Sequence, residues 1–291
     1  MPGLSSMLPI GGDTVWGNTT WAPDDILNQR TSYGNFITFR HTHDASSNHS
    51  RNLTVSESLP YLLSTAESWY SKAVTSNFSF GIAHTDAEVE ANMHTPHKWM
   101  NPLETRLPLA PNLKIYCFYG VGKDTERAYF YREDLDPLTK TNVTIDTAYS
   151  PDAKEFPHGP TIDHGVVMGE GDGTVPLLSS GYVCNKAWRL KRYNPAGVRV
   201  TVVEMQHEPD RFSPRGGPNT GDHVDILGRS SLNDLILRVA GGKGELIQEE
   251  VVSRIREYAE RIDITGEEVD VRRGMGGGAK KEDVKREDPY I

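Results

Sequence analysis

Gly169-Glu-Gly-Asp172-Gly173-Thr174-Val175-Pro176 and, downstream, Gly221-Asp222-His223-Val224-Asp225-Ile226-Leu227-Gly228 are the stretches that decide how this chain is read. The first offers a carboxylate in a glycine-rich turn. The second offers a histidine. Each lies beyond a run that reads as a buried strand: Lys114-Ile-Tyr-Cys-Phe-Tyr-Gly120 stands ahead of the acid, after a long excursion, and Val198-Arg-Val-Thr-Val-Val-Glu-Met205 stands ahead of the histidine.

Acid, then histidine, then a closing helix is the order of the last two members of a serine triad in an α/β-hydrolase, where both sit on loops at strand ends. The expected fold class is therefore α/β, the C-terminal part of an α/β-hydrolase fold with an incomplete N-terminal half of the sheet. In such a site the histidine takes a hydroxyl proton and returns one to the leaving group, while the carboxylate fixes its tautomer. Applied to this chain, Asp172 orients His223. An aspartate before glycine can also be a simple turn former, and His223 can be a surface or capping residue near Ser230. His207 follows the same strand as His223 and is a rival base that spacing alone does not remove. Asp225, two residues from His223, is a weaker rival to Asp172. The nucleophile is missing: Gly3-Leu-Ser5-Ser-Met7 and Gly228-Arg-Ser230-Ser-Leu232 both lack the second glycine of G-x-S-x-G, and neither serine follows a strand.

Residues 1–110 carry little sheet character and read as a cap or lid. Their aromatics (Trp16, Trp21, Tyr33, Phe36, Phe39) are spaced without period, and a helix is expected from Ser56 to about Val74, with Ser56 as its cap. A lid suits chemistry that must exclude water as a competing nucleophile. Residues 111–265 form the core that carries the acid and histidine loops. The run through Gly120 is expected to be a central strand, apolar on both faces. Arg127–Arg132 and Asn142–Asp146 alternate like a hairpin, and Val166–Met168 leads back to the acid. A short helix from Ser179 to Trp188 precedes the second strand. A Pro- and Gly-rich loop from Gln206 to Asp222 delivers His223. Ser230 or Ser231 caps a helix closed by Gly241-Gly242, and a last amphipathic helix spans Gln248 to about Ile262. Residues 266–291, rich in glycine and charge, are expected to be disordered.

At 291 residues and 36% hydrophobic composition the chain can bury a real core. Its formal net charge of -9 argues against a nucleic-acid partner. No window approaches the roughly 18–20 apolar residues of a membrane span, and the N-terminus lacks the regions of a signal peptide. Against a cytosolic reading stand five N-x-[ST] sequons, at Asn18, Asn48, Asn52, Asn77 and Asn142. The two cysteines, Cys117 and Cys184, permit one bridge or two separate buried thiols. His41, His43 and His49, or His94 and His97, are weak metal candidates in polar loops. No metal site and no cofactor is expected: the acidic, glycine-rich string at Glu170 is not an EF-hand loop, because the closing glutamate is missing, and P-loop and GxGxxG patterns are absent.

Four segments, KIYCFYGVGKDTERAYFY, EGDGTVPL, YNPAGVRVTVVEM and HVDILG, occur in this order. Together they resemble the phospholipid:diacylglycerol acyltransferases, relatives of lecithin:cholesterol acyltransferase. The resemblance runs from about Leu4 to about Ala240 and corresponds to the family's C-terminal part. It implies a serine elbow, an oxyanion loop and an N-terminal membrane anchor upstream of everything in this chain. It favours His223 over His207 as the base and Asp172 as the acid. It also implies that Cys117 and Cys184 pair, in an oxidising compartment on the lumenal side of the endoplasmic reticulum. The implied reaction moves an acyl chain from a phospholipid to diacylglycerol at a membrane surface, giving triacylglycerol through an acyl-enzyme. A lipase or phospholipase, a sterol acyltransferase of the same family, or a catalytically incomplete lipid-binding fragment are the alternatives.

Overall fold

The computed structural model describes residues 5–29, 31–40, 52–133, 143–152, 159–213 and 216–265. A mixed α/β architecture is built on two small sheets that meet at one turn of chain. In the first, β2 (Lys114–Val121) pairs in parallel with β7 (Arg199–Gln206), from Lys114 opposite Arg199 to Val121 opposite Gln206. In the second, β3 (Lys123–Glu133) is central. β1 (Ile37–Arg40) lies parallel to it, while β4 (Val143–Ile145) and β6 (Val166–Gly171) run antiparallel, and β5 (Ile162–Asp163) flanks β6.

The parallel pair is covered on both faces because its residues alternate. Ile115, Cys117, Tyr119, Val200 and Val202 face one cluster, which includes Leu177, Leu178 and Tyr182 of α5 (Leu177–Asn185) and Ile255, Tyr258 and Ala259 of α7 (Ile255–Arg261). Phe118 and Met205 face the other way, against Ile226 and Leu232, the latter on α6 (Ser230–Ala240). A disulfide between Cys117 and Cys184 ties β2 to α5 across the larger core. Val15 and Trp16 of α1 (Gly12–Trp16), Val55 and Leu59 of α2 (Val55–Thr65) and Val89 of α4 (Asp86–Asn92) enter the same cluster.

Several elements differ from the sequence expectation. The N-terminal region does contribute a strand, β1, which four residues of extended chain without a partner nearby in sequence could not announce. The helix expected over 56–74 is two helices, α2 and α3 (Ser68–Asn77), separated at Ala66 and Glu67, both with extended backbone. The cap of α2 is Thr54, not Ser56: Glu57 accepts the Thr54 N–H at 3.2 Å. β2 has β7 as its one strand neighbour among the described residues, so it is not central there. The helix expected over Ser179–Trp188 begins at Leu177, ends at Asn185 and gives way to a 3-10 turn over Ala187–Arg189. Arg229 precedes α6 as its cap residue, and Ser231 Oγ accepts from Arg229 Nε at 2.8 Å instead of capping.

The last helix is confined to Ile255–Arg261. The segment before it lies along β7, with Glu250 N donating to Val202 O at 2.9 Å and Glu204 N donating to Glu250 O at 2.8 Å. The buried Glu204 carboxylate then accepts the N–H groups of Val252 and Ser253, each at 2.7 Å, so the turn before α7 is held by a strand residue. The hairpin of β3 and β4 forms with Tyr131 opposite Ile145, and Gly241 and Gly242 close α6, the latter at φ 74°.

Candidate active site

The acid arrives by a return journey. β2 ends at Val121, and Gly122 turns the chain at φ 84°, with Gln206 filling the space where a side chain would project. Lys123 opens β3. The excursion 123–171 comes back along β6, and Asp172 ends beside the residue from which it left: Gly171 pairs with Lys123, and Asp172 bridges it. The excursion therefore sets Asp172 at the C-terminal end of β2 although the strand itself stopped fifty residues earlier. Ligands and reacting groups in open α/β sheets gather at this end of parallel strands.

Asp172 divides its two oxygens. Oδ1 accepts the backbone N–H groups of Thr174 at 3.0 Å and Val175 at 2.7 Å, closing a tight turn. Oδ2 lies 2.8 Å from His223 Nδ1. Gly173, at φ 92°, donates its N–H to Thr125 Oγ1 at 2.7 Å. The carboxylate is buried, with 8% of its side chain exposed, whereas the His223 side chain is 42% exposed. An ionised carboxylate only accepts, so Nδ1 is the ring nitrogen that donates, and in the neutral ring the lone pair stands on Nε2.

The histidine is delivered from the end of β7 by the Gln206–Asp222 loop, and the loop is seated by backbone contact. His207 N donates to Val121 O at 2.8 Å, and His223 N donates to Asp172 O at 2.9 Å. A Cβ on Gly120 would fall 1.9 Å from Gly221 O, so the loop crosses β2 where only glycine fits.

His207, the rival base, makes different contacts. Its Nδ1 accepts the Gly221 N–H at 3.1 Å, and burial lowers its pKa from the ordinary histidine range, followed by the nearby positive charge of Lys123. It braces the loop as a neutral ring. Asp225, the rival acid, donates its N–H to Asp222 Oδ1 at 3.2 Å in the turn after the histidine. One pairing was missed from sequence: Lys123 Nζ is ion-paired with Asp222 Oδ2. The Lys123 hydrogen bond is the main reason the Asp222 pKa falls to about 2. The only local signal was an aspartate directly before the histidine.

Of the sequons, Asn18 and Asn77 are exposed. Asn52 is half-buried and donates from Nδ2 to Asn35 Oδ1 at 2.9 Å. Asn48 and Asn142 lie outside the described residues, as do His41, His43, His49 and the tail 266–291. His94 is exposed and 4.0 Å from Glu90. Among the described residues, no three His, Cys, Asp or Glu side chains are grouped to hold a metal ion, and no helix is long and apolar enough to cross a membrane.

A cavity of about 360 Å³ opens beneath the acid turn, lined by Asp24, Tyr33, Lys123, Glu170, Leu177 and Tyr258 among others. Burial is the first cause of a raised Glu170 pKa, and the Glu204 charge is the second.

The family described as lecithin:cholesterol acyltransferase matches residues 1–230. A phospholipid:diacylglycerol acyltransferase of Schizosaccharomyces pombe is 43% identical over 266 residues, covering 91% of this chain and 40% of the relative. One of Saccharomyces cerevisiae is 42% identical over 264 residues, covering 89% of this chain and 37% of the relative. Phospholipid:diacylglycerol acyltransferase 1 of Arabidopsis thaliana is 33% identical, covering 89% of this chain and 48% of the relative. The chain thus spans less than half the length of each of these relatives.

Proposed function

The chain belongs to the lecithin:cholesterol acyltransferase family, and from that premise we propose that it carries the acid and base of an O-acyltransferase acting on glycerolipids. Asp172 is the acid and His223 the base. The observation that carries this reading is the 2.8 Å contact between Asp172 Oδ2 and His223 Nδ1 at the C-terminal ends of two neighbouring parallel strands.

The donor is a phospholipid and the acceptor the free hydroxyl of diacylglycerol, in keeping with the names of the relatives. The nucleophile is a serine supplied from outside these 291 residues. His223 Nε2 takes the serine proton as Oγ bonds to the acyl carbonyl carbon. It then returns that proton to the leaving oxygen of the lysophospholipid as the ester bond breaks. In the second half the diacylglycerol hydroxyl gives its proton to Nε2 and attacks the acyl-serine, and the proton goes back to the serine oxygen. Asp172 stabilises the imidazolium in both halves. Residues 1–110 act as a cap that limits water, the competing acceptor. The disulfide and the exposed sequons Asn18 and Asn77 support a lumenal location in the endoplasmic reticulum.

The test is acyl transfer by membranes of cells expressing the complete reading frame that contains this sequence, with labelled phosphatidylcholine and added diacylglycerol. Labelled triacylglycerol and lysophospholipid are expected in equal amounts. Asp172→Asn, which presents the wrong partner to Nδ1, is expected to lower kcat by about 10⁴-fold, and His223→Ala to abolish turnover. Free fatty acid in place of triacylglycerol would make the protein a lipase. Full activity in both variants would remove Asp172 and His223 from the reaction.

A further inference from the structure

Lys123 touches both catalytic loops. Its backbone pairs with Gly171 and bridges Asp172. Its stem lies over Gly173, where an added Cβ would meet Lys123 Cδ at 2.8 Å. Its ammonium reaches Asp222, the residue directly before His223. Asp222 in turn holds the other side of the histidine: its Oδ1 accepts the N–H groups of Val224 at 3.1 Å and Asp225 at 3.2 Å. One carboxylate thus fixes the turn after the histidine with one oxygen and the root of the acid turn with the other.

We propose that Lys123 and Asp222 are positioning residues whose ion pair clamps the histidine loop onto the acid turn, holding the His223 ring against Asp172. This rests on the reading of Asp172 and His223 as acid and base.

A surface ion pair with no positioning role is the competing account, since the two side chains are 38% and 21% exposed and exposed pairs contribute little to stability. The two accounts separate on kinetics. In the complete reading frame, Lys123→Met is expected to lower kcat about ten- to a hundredfold with KM unchanged, the size of effect that a small misplacement of a catalytic group produces. Lys123→Arg restores kcat. The Lys123→Met/Asp222→Asn double variant stays as slow as Lys123→Met, because removing the second partner of a clamp already opened changes nothing further. Urea midpoints measured alongside keep folding out of the comparison.

Wild-type kcat in Lys123→Met, a raised KM in place of a lowered kcat, or no rescue by arginine would overturn the clamp. Failure of the acid and base reading is registered separately, as undiminished activity in Asp172→Asn and His223→Ala.

Discussion

The two sheets hold together by different physics. The parallel pair β2 and β7 is sealed by apolar side chains on both faces and by the Cys117–Cys184 bridge to α5. The sheet built around β3 has a small apolar cluster of Ala22, Tyr33, Ala128, Phe130, Ile162 and Val167. At its centre is Arg127, 1% exposed at the side chain, paired with Asp24 at 2.7 Å and within 4.9 Å of the Trp16 ring and 5.4 Å of the Tyr33 ring. Arg127 also donates to the carbonyls of Trp16 and Tyr33. One sheet is held by burial, the other by a buried charge that reaches back to the N-terminal segment. The difference teaches where the site is vulnerable. The β3 sheet leaves the parallel pair at Lys123 and returns at Asp172, so what it does in between reaches the acid through its root.

Breaking the charged anchor should have the largest effect on stability. Arg127→Met leaves the half-buried Asp24 carboxylate without its partner, and a cost towards the lower end of about 3–5 kcal/mol is expected. The measurement is urea unfolding followed by circular dichroism. If the comparison is right, the Arg127→Met/Asp24→Asn double variant recovers part of the loss, because no unpaired charge remains. Equal losses in the single and double variants would mean that packing of Trp16 and Tyr33, not the charge, holds this sheet.

The equivalent break in the parallel pair is the disulfide. Its two residues are 67 positions apart, and opening a loop of that size by Cys117→Ser with Cys184→Ser should cost about 2–4 kcal/mol. The loss is expected to fall on β2 and α5, read as faster amide exchange there, with the exchange of β3 and β6 little changed. Uniform acceleration over both sheets would show that they unfold as one unit.

These two anchors were not equally visible in the amino-acid sequence. The strands that deliver the site were legible, because Val198–Met205 and Val166–Met168 are apolar runs bounded by glycine and proline turns, and local chemistry decides such segments. Both the reading of Asp172 as an acid and not a turn former, and the choice of His223 over His207, needed the resemblance; in the structure it is the His223 ring that lies against the Asp172 carboxylate. The cysteine pairing also came from the resemblance. The ion pairs had no local signature at all: Lys123 and Asp222 are 99 positions apart, and Arg127 and Asp24 are 103 apart. β1 is a four-residue strand whose parallel partner lies some ninety positions on, and a run that short shows no period. The last helix was overextended because an amphipathic pattern over Gln248–Ile262 does not reveal that Glu204 would hold its first residues beside β7.

Asp222 has its pKa lowered from 3.8 to about 2, first by the hydrogen bond from Lys123. A depressed carboxyl stabilises the folded state when ionised. Its contribution is complete above the ordinary value and is lost as pH falls through about 2. Wild type should therefore lose more of its urea midpoint than Asp222→Asn between pH 5 and pH 2. High salt should narrow the gap, because the pair is partly exposed.

Glu170, two residues before Asp172, should show the opposite sign and the smallest effect. It lines the cavity under the acid turn, and its pKa is raised, first by burial and then by the Glu204 charge, with Arg254 opposing. A carboxyl with a raised pKa binds its proton more tightly in the folded protein than in the unfolded chain. The folded state is therefore favoured while the group is protonated. Stability falls as pH rises from the ordinary value of 4.5 through the raised one, and the cost persists above it. Glu170→Gln removes the charge and keeps the shape, so it should raise the urea midpoint at pH 7 and match wild type at pH 4. A midpoint that drops at both pH values would mean that Glu170 is held by a contact that depends on its charge, and the root of the β3 sheet would then be anchored electrostatically on both sides of Asp172.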